Sequence, residues 1–407
     1  AVCIRKKCID NVNNVYYIGK TSRLYFNCIS AFPQTKDRTM NPNVCPPGQG
    51  NGNPGGGNTT VIIEQQPNLA INGAMKVAQR GSSFTSVSAT QYTLDRWQLE
   101  FNGSPGAVVT VTQSTDAPTG SGLSQSLKID CTTAEAAVAA SESIVLKTTI
   151  EAQDLQQLMY GDEANAQPTS LSFWVKSPKA GTHCVALYMD DGSAHNIQEF
   201  PVIAANAWEL KHIVFPGCPT WSIADDNGAG LTISFPLVAG TDYQATKEIW
   251  ETGNDYATSE QQNLLDNTAN DYCVTGVKLE VGATATGFVH EGIGNMLKRC
   301  LRYFWRQVNY LNETVGNASI YNSTNGNCVV QFPVPMRLDP TLSLSNAAHF
   351  TLYATNTTQS PSAIASTGHI NEYGVNLGLT LSGATQGDAG NLVSTNQDST
   401  LDYDAEF

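Results

Sequence analysis

The polar stretch between residues 219 and 260 carries four large aromatic side chains with acids and an amide among them. Planar aromatic rings can stack on the C–H face of a sugar ring, while carboxylates and amides bond its hydroxyls. The pattern therefore predicts carbohydrate binding, with the alternative that most of these rings belong to a core or a subunit interface. The candidate residues are Trp221, Tyr243, Trp250, Tyr256, Asp225, Asp226 and Asn254.

Two acidic turns offer a second kind of chemistry. Calcium prefers hard oxygen ligands, which carboxylates and amides supply. The twelve-residue EF-hand loop is absent, however, and Gly or Asn after each acid pair is typical of solvated turns. The acidic turns are therefore either ligands of a structural calcium ion or solvated turns without an ion. No other cofactor is predicted. The possible calcium ligands are Asp190, Asp191, Asp225, Asp226 and Asn227.

Catalytic signatures are absent from the sequence. It contains no G-x-S-x-G, H-E-x-x-H or P-loop motif. The six histidines are dispersed, and no acid pair is accompanied by a recognisable nucleophile or base. We therefore expect a protein without catalytic residues.

Composition narrows the classes of partner. The 407 residues include 36 acids and 22 bases, a net charge of −14, which disfavours binding to nucleic-acid backbones. No run approaches the ~20 apolar residues that span a bilayer, and the N-terminus lacks the apolar run of a secretory signal. Charged residues make up only 14%, against about 25% in typical soluble domains. Polarity instead comes from Asn, Gln, Ser, Thr and Gly, which suits turn-rich β-structure.

Ten cysteines occur without a C-x-x-C pair. We expect the six that lie beyond residue 100 to be small buried hydrophobes. The other four, Cys3, Cys8, Cys28 and Cys45, could pair, bind a metal or stay reduced.

Strand patterns predict an all-β organisation. Short alternating runs bounded by turn residues, such as 107–112, 171–176, 184–189, 209–215, 231–235 and 273–281, predict an antiparallel jelly-roll sandwich over residues 61–290. Helical spacing predicts an interruption within 133–158, with Ile150, Leu155 and Leu158 buried, and an amphipathic connecting helix over 291–309. A second, small β-domain follows over 310–407. Residues 46–60 are a Gly/Pro-rich linker after an N-terminal module, residues 1–45, which is too small to be robust alone.

Five segments in order resemble a β-sandwich domain common in bacteriophage tail-fibre and other virion proteins. The first is Asn68-Leu-Ala-Ile-Asn-Gly with Tyr92-Thr-Leu-Asp-Arg-Trp, and the last is Phe332-Pro-Val-Pro-Met-Arg; residues 171–177, 276–290 and 300–304 lie between them. The resemblance covers about residues 62–345. Gly287 departs from it, since the family more often has Pro there.

The resemblance implies a noncatalytic carbohydrate-binding jelly roll in a homotrimeric virion appendage. The expected partners are other copies of the chain, phage structural proteins reached through the N-terminal module, and host-surface polysaccharide. We expect no nucleic acid and no membrane insertion. The predicted function is a fibre or spike subunit that attaches to host glycans. The alternatives are a head decoration fibre or tail adaptor with a purely structural role and, more weakly, a glycan depolymerase.

Overall fold

The computed structural model describes residues 66–407, which belong to one compact unit spanning 62–407. The predicted module 1–45, its four cysteines and the linker 46–60 lie outside the described residues. Among these described residues, strands account for 45% and helices for 6%, so the predicted all-β class is confirmed. No helix among the described residues is long and apolar enough to cross a membrane.

Two antiparallel sheets form a jelly-roll-like sandwich. The first sheet has the order β1-β4-β5-β13-β7-β10, formed by Ser83–Val87 (β1), Val108–Ser114 (β4), Ser126–Thr133 (β5), Asp271–Val281 (β13), Thr169–Lys176 (β7) and Glu209–Phe215 (β10). The second sheet has the order β12-β9-β8-β11-β6-β3-β2, formed by Trp250–Thr252 (β12), Ala194–Val202 (β9), Gly181–Met189 (β8), Ala229–Ala239 (β11), Ser143–Glu151 (β6), Gln98–Asn102 (β3) and Gln91–Tyr92 (β2). All six runs predicted as strands are strands.

The sandwich core follows from the alternation along these strands. In β11, Leu231, Ile233 and Phe235 are buried in a cluster that also holds Phe173 of β7, in the facing sheet. The rings of Phe173 and Phe235 meet edge to face at 5.0 Å. Every second side chain faces inward, so the residues between them face away from the core.

A second β-domain packs around its own core, which includes Phe350, Leu377 and Tyr403. Its larger sheet has the order β19-β18-β22-β15-β16-β21-β20, formed by Thr358–Gln359 (β19), Phe350–Ala354 (β18), Ala389–Ser394 (β22), Thr314–Asn322 (β15), Asn325–Gln331 (β16), Gly374–Thr380 (β21) and Ala363–Asn371 (β20). Its smaller sheet has the order β14-β23-β17, formed by Phe304–Val308 (β14), Leu401–Asp404 (β23) and Thr341–Leu344 (β17). The connector 332–340 contains no strand, as its prolines predict.

Both helix predictions need correction. Within 133–158, Ser143–Glu151 is strand β6 and only Ala152–Leu158 is a 3-10 helix. Ile150, Leu155 and Leu158 are buried as expected, but Ile150 lies on the strand. The β-branched residues of the segment and its pairing with β3 and β11 outweigh the helix propensity of the neighbouring Ala and Glu.

Within 291–309, helix α1 covers only Ile293–Leu301. Phe304–Val308 forms β14 because it pairs with β23, about a hundred residues later. A partner so distant leaves no mark on the local spacing that predicted the helix.

The six scattered cysteines are free and buried, which confirms their reading as small hydrophobes. They are Cys131, Cys184, Cys218, Cys273, Cys300 and Cys328. Burial raises the pKa of the Cys273 and Cys328 thiols to about 12, so both thiols are protonated at neutral pH.

Candidate functional site

The outer face of the second sheet carries a band of polar side chains. Thr232 of β11 lies opposite Thr149 of β6 on one side and Tyr188 of β8 on the other. Lys147 of β6 lies between Ser234 of β11 and Gln98 of β3. Side chains opposite one another on adjacent strands lie about 5 Å apart, so these residues form two parallel rows across the sheet.

A loop after β11 covers one half of this face. Tyr256 and Ala257 of that loop are buried against Val145 of β6 and Ile197 of β9. The ring of Tyr243 stacks on Tyr256, with centroids 5.4 Å apart and an interplanar angle of 13°. The other half of the face stays open.

The open half is a cleft of about 400 Å³. Asn254 and Tyr256 form the wall on the loop side, while Tyr92 and Phe407 line it elsewhere. The complete lining is Tyr92, Gln98, Glu100, Lys147, Thr149, Tyr188, Asp190, Ala229, Thr232, Ser234, Asn254, Tyr256 and Phe407.

Most charged and hydroxyl groups on the cleft floor are paired. Lys147 Nζ lies 2.5 Å from Glu100 Oε1. The hydroxyls of Thr149 and Thr232 lie 2.9 Å apart, and Thr232 donates to Asp190 Oδ2 at 3.3 Å. The floor is therefore ordered without a bound ligand, which lowers the entropy cost of binding one.

Asp190 is the acid whose protonation is most altered in this cleft. Burial raises the pKa of its carboxyl to about 6, against opposing effects of the Thr232 hydroxyl and the Lys147 ammonium. Burial also raises the pKa of the Tyr256 hydroxyl, which the Asn254 side chain opposes. Tyr256 therefore remains a neutral phenol at neutral pH.

Two of the seven predicted sugar-binding residues, Asn254 and Tyr256, line the cleft, and Tyr243 supports Tyr256 from behind. Trp250 instead packs edge to face on Tyr160 at 5.7 Å, and its Nε1 donates to the Pro216 carbonyl at 2.8 Å. Trp221 is partly buried against the sandwich core.

The turn 225–228 lies outside the cleft lining. Asp225 is exposed, and Asp226 Oδ1 accepts the Gly228 amide proton within the same turn at 2.8 Å. The Asn227 side chain donates to the Arg337 carbonyl at 2.6 Å. Asp226 thus has a structural contact where a sugar contact was predicted, and so does Asn227, which was predicted only as a possible calcium ligand; Asp225 is exposed away from the cleft.

The predicted calcium ligands do not come together either, since only one of them lines the cleft. Asp190 lines the cleft, whereas Asp191 Oδ2 accepts the Ala224 amide proton at 2.8 Å. Over residues 66–407, no three or more His, Cys, Asp or Glu side chains come together as a metal site. A structural calcium ion stays a prediction.

Sequence reasoning missed the polar residues on the cleft floor. Gln98, Lys147, Thr149, Tyr188 and Thr232 occupy alternate strand positions between core residues. The sequence does indicate that these side chains face away from the core, because each is the polar or amphipathic member of an alternating run. Only the strand order shows that they are neighbours.

No family model and no curated protein sequence matches this chain. Among solved structures, the enzymatically active domain of tailspike protein 4 of bacteriophage CBA120 is similar, with 14% identity and a TM-score of 0.27. That match covers 53% of this chain and 21% of the tailspike chain. The chain therefore spans about a fifth of that protein.

Two bacterial structures from Clostridium thermocellum are similar at the same level. The family 11 carbohydrate-binding module, in complex with a β-1,3-1,4-mixed-linked tetrasaccharide, has 12% identity and a TM-score of 0.25, over 50% of this chain and 98% of its own. The CBM22-1 and GH10 modules of endo-1,4-β-D-xylanase 10B have 13% identity and a TM-score of 0.25, over 48% of this chain and 28% of theirs. Scores this low leave function to be argued from the cleft itself.

Proposed function

We propose that the protein binds carbohydrate without catalysis and that a glycan lies in the cleft over Tyr188. The observation that carries this proposal is the cleft lining, which combines aromatic rings with amide, carboxylate, ammonium and hydroxyl groups. A sugar presents the same two kinds of surface, apolar C–H faces and a rim of hydroxyls. The volume of about 400 Å³ falls in the ~300–1,000 Å³ range of small-ligand sites.

A glycan depolymerase is the second candidate, and Asp190 is the observation in its favour. A carboxyl with a pKa of about 6 has the property of a general acid. Glycoside hydrolysis, however, needs a second carboxyl about 5–9.5 Å away.

The other acid of the cleft lining, Glu100, has its backbone further along the sheet, and its carboxylate is already paired with Lys147 Nζ at 2.5 Å. Glu100 of β3 is opposite Val145 of β6, which is opposite Pro236 of β11. Pro236 lies four residues along β11 from Thr232, whose hydroxyl contacts Asp190. Two strand spacings and four residue rises separate the backbones of Glu100 and Thr232 by about 16 Å. We therefore favour binding over hydrolysis.

The biological setting of our proposal is a phage virion. The resemblance of residues 62–345 to phage β-sandwich domains supports a fibre or spike subunit that attaches to host-surface polysaccharide, with the N-terminal module docked on phage structural proteins. A homotrimer would multiply weak single-site affinities by avidity. A head decoration fibre or tail adaptor with a purely structural role is the alternative.

A glycan array probed with the full chain, followed by titration calorimetry on the best oligosaccharide, tests binding. Tyr188→Ala should weaken affinity about three- to tenfold, because aromatic stacking contributes ~0.5–1.5 kcal/mol. Tyr321→Ala is the matched control, since Tyr321 is half exposed on the second β-domain.

No binding by the folded chain to any host polysaccharide would favour the structural role. Equal loss of affinity in both variants would place the site outside the cleft. Release of oligosaccharides from host capsule would instead favour the depolymerase.

A further inference from the structure

We propose that Arg337 is a positioning residue that fixes two walls of the cleft at once, and that Phe407, on one of those walls, contacts the bound glycan. The inference rests on the proposed carbohydrate-binding function. Arg337 lies in the connector 332–340 between β16 and β17 of the second β-domain, and its side chain is not part of the cleft lining.

The Arg337 side chain is buried, with a relative exposure of 7%. Its Nε donates to the Ala405 carbonyl at 2.8 Å, and Nη2 donates to the Glu406 carbonyl at 2.6 Å. The guanidinium carbon lies 4.1 Å from the centroid of the Phe407 ring. One side of the guanidinium therefore holds the segment that brings Phe407 to the cleft.

The other side of the same group holds the turn before β11. Arg337 Nη1 donates to the Asn227 carbonyl at 3.0 Å, and Asn227 Nδ2 returns a bond to the Arg337 carbonyl at 2.6 Å. Two residues later Ala229 lines the cleft, and the Gly230 carbonyl accepts the Asp190 amide proton at 3.2 Å. The position of Arg337 thus affects the end of the cleft that contains Asp190.

Further groups anchor the Phe407 wall against the sandwich. Glu406 pairs with Arg96, whose side chain is 1% exposed, and with Arg80 at 3.4 Å. Arg80 also pairs with Asp404 at 2.8 Å, and the Tyr92 hydroxyl donates to the Phe407 carbonyl at 3.3 Å. These contacts fix the wall to Tyr92 of β2 and to the loops that carry Arg80 and Arg96, but none of them reaches the turn at Asn227.

The role of Arg337 depends on guanidinium geometry. A planar fork with several donors can bond three carbonyls in fixed directions while its face covers an aromatic ring. A lysine ammonium keeps the charge but cannot hold both walls and the ring together. Arg337→Lys should therefore separate charge from positioning.

The test compares Arg337→Lys, Phe407→Ala and Arg299→Lys in the full chain, by titration with the best array oligosaccharide and by hydrogen–deuterium exchange without ligand. Arg299 is the matched control because it also donates to two backbone carbonyls, at 3.1 and 3.5 Å, but does not line the cleft.

We expect faster exchange in Arg337→Lys at both 228–230 and 405–407. Affinity should fall about three- to tenfold in Arg337→Lys and in Phe407→Ala, as for a lost aromatic contact. Arg299→Lys should bind as the wild type does.

Unchanged affinity in Arg337→Lys with a lowered melting temperature would show a merely structural role and overturn the proposal. If Arg337→Lys does not fold, unchanged affinity in Phe407→Ala would also overturn the proposal. If the wild type binds no glycan, the proposed function fails first. In that case hydrogen–deuterium exchange alone tests whether Arg337 holds both walls. Faster exchange in Arg337→Lys at only one of the segments 228–230 and 405–407 overturns this part of the proposal.

Discussion

Replacing Asp190 with Asn should stabilise the protein at neutral pH and leave its stability unchanged under acid conditions. In the folded state, burial raises the pKa of this carboxyl from 3.8 to about 6. The folded protein therefore binds a proton more tightly than the unfolded chain does, and stability falls as pH rises from about 4 to about 6.

The size of the effect follows from that shift. Each pKa unit corresponds to about 1.4 kcal/mol, so two units give a ceiling of about 3 kcal/mol. Asp190 remains partly exposed and accepts a hydrogen bond from Thr232, so we expect about 1–3 kcal/mol at pH 7.5. An amide keeps the acceptor oxygen without the cost of a desolvated charge.

The assay is thermal unfolding of the wild type and Asp190→Asn between pH 4 and 8, with Asp225→Asn as an exposed-turn control. The stability difference for Asp190→Asn should grow between pH 4 and 6 and stay constant above. A difference of the same size at pH 4 and pH 8, or destabilisation at pH 8, would refute the assignment of a desolvated carboxyl.

Two further predictions concern the scaffold. Lys278 and Glu280 form a fully buried pair 2.9 Å apart on β13; Glu280→Gln should therefore cost about 3–5 kcal/mol by leaving the lysine charge unpaired, and chemical denaturation showing less than 1 kcal/mol would contradict this. Gly73 leaves no room for a side chain, since an added Cβ would lie 1.9 Å from the Val277 carbonyl oxygen. Gly73→Ala should lower the melting temperature by several degrees, and an unchanged value would show that the two backbones are further apart.

Much of the sandwich could be predicted because alternation is a local property. Val175 and Leu279 are buried as their runs require, and each run ends at turn residues. Asn72 has φ 57° and Gly81 has φ 137°, values that Asn and Gly tolerate in turns. The helix prediction over 291–309 failed beyond Leu301 because the pairing of β14 depends on a distant strand.

The cleft was harder to predict, because its residues come from nonconsecutive strands. Local composition identified Asn254 and Tyr256 in an aromatic polar loop, but also Trp221 and Trp250, which pack against the core. Alternation places Tyr188 on a strand but does not identify its neighbours across the sheet. Its place beside Thr232 depends on the pairing of β8 with β11, which alternation alone cannot specify.

The most direct test of the central claim is a crystal structure of the full chain with the tightest-binding oligosaccharide from the array. We predict a sugar ring stacked on Tyr188, with hydroxyls bonded to Asp190 and Lys147. A well-ordered oligosaccharide bound elsewhere, with the cleft over Tyr188 filled only by water, would contradict it.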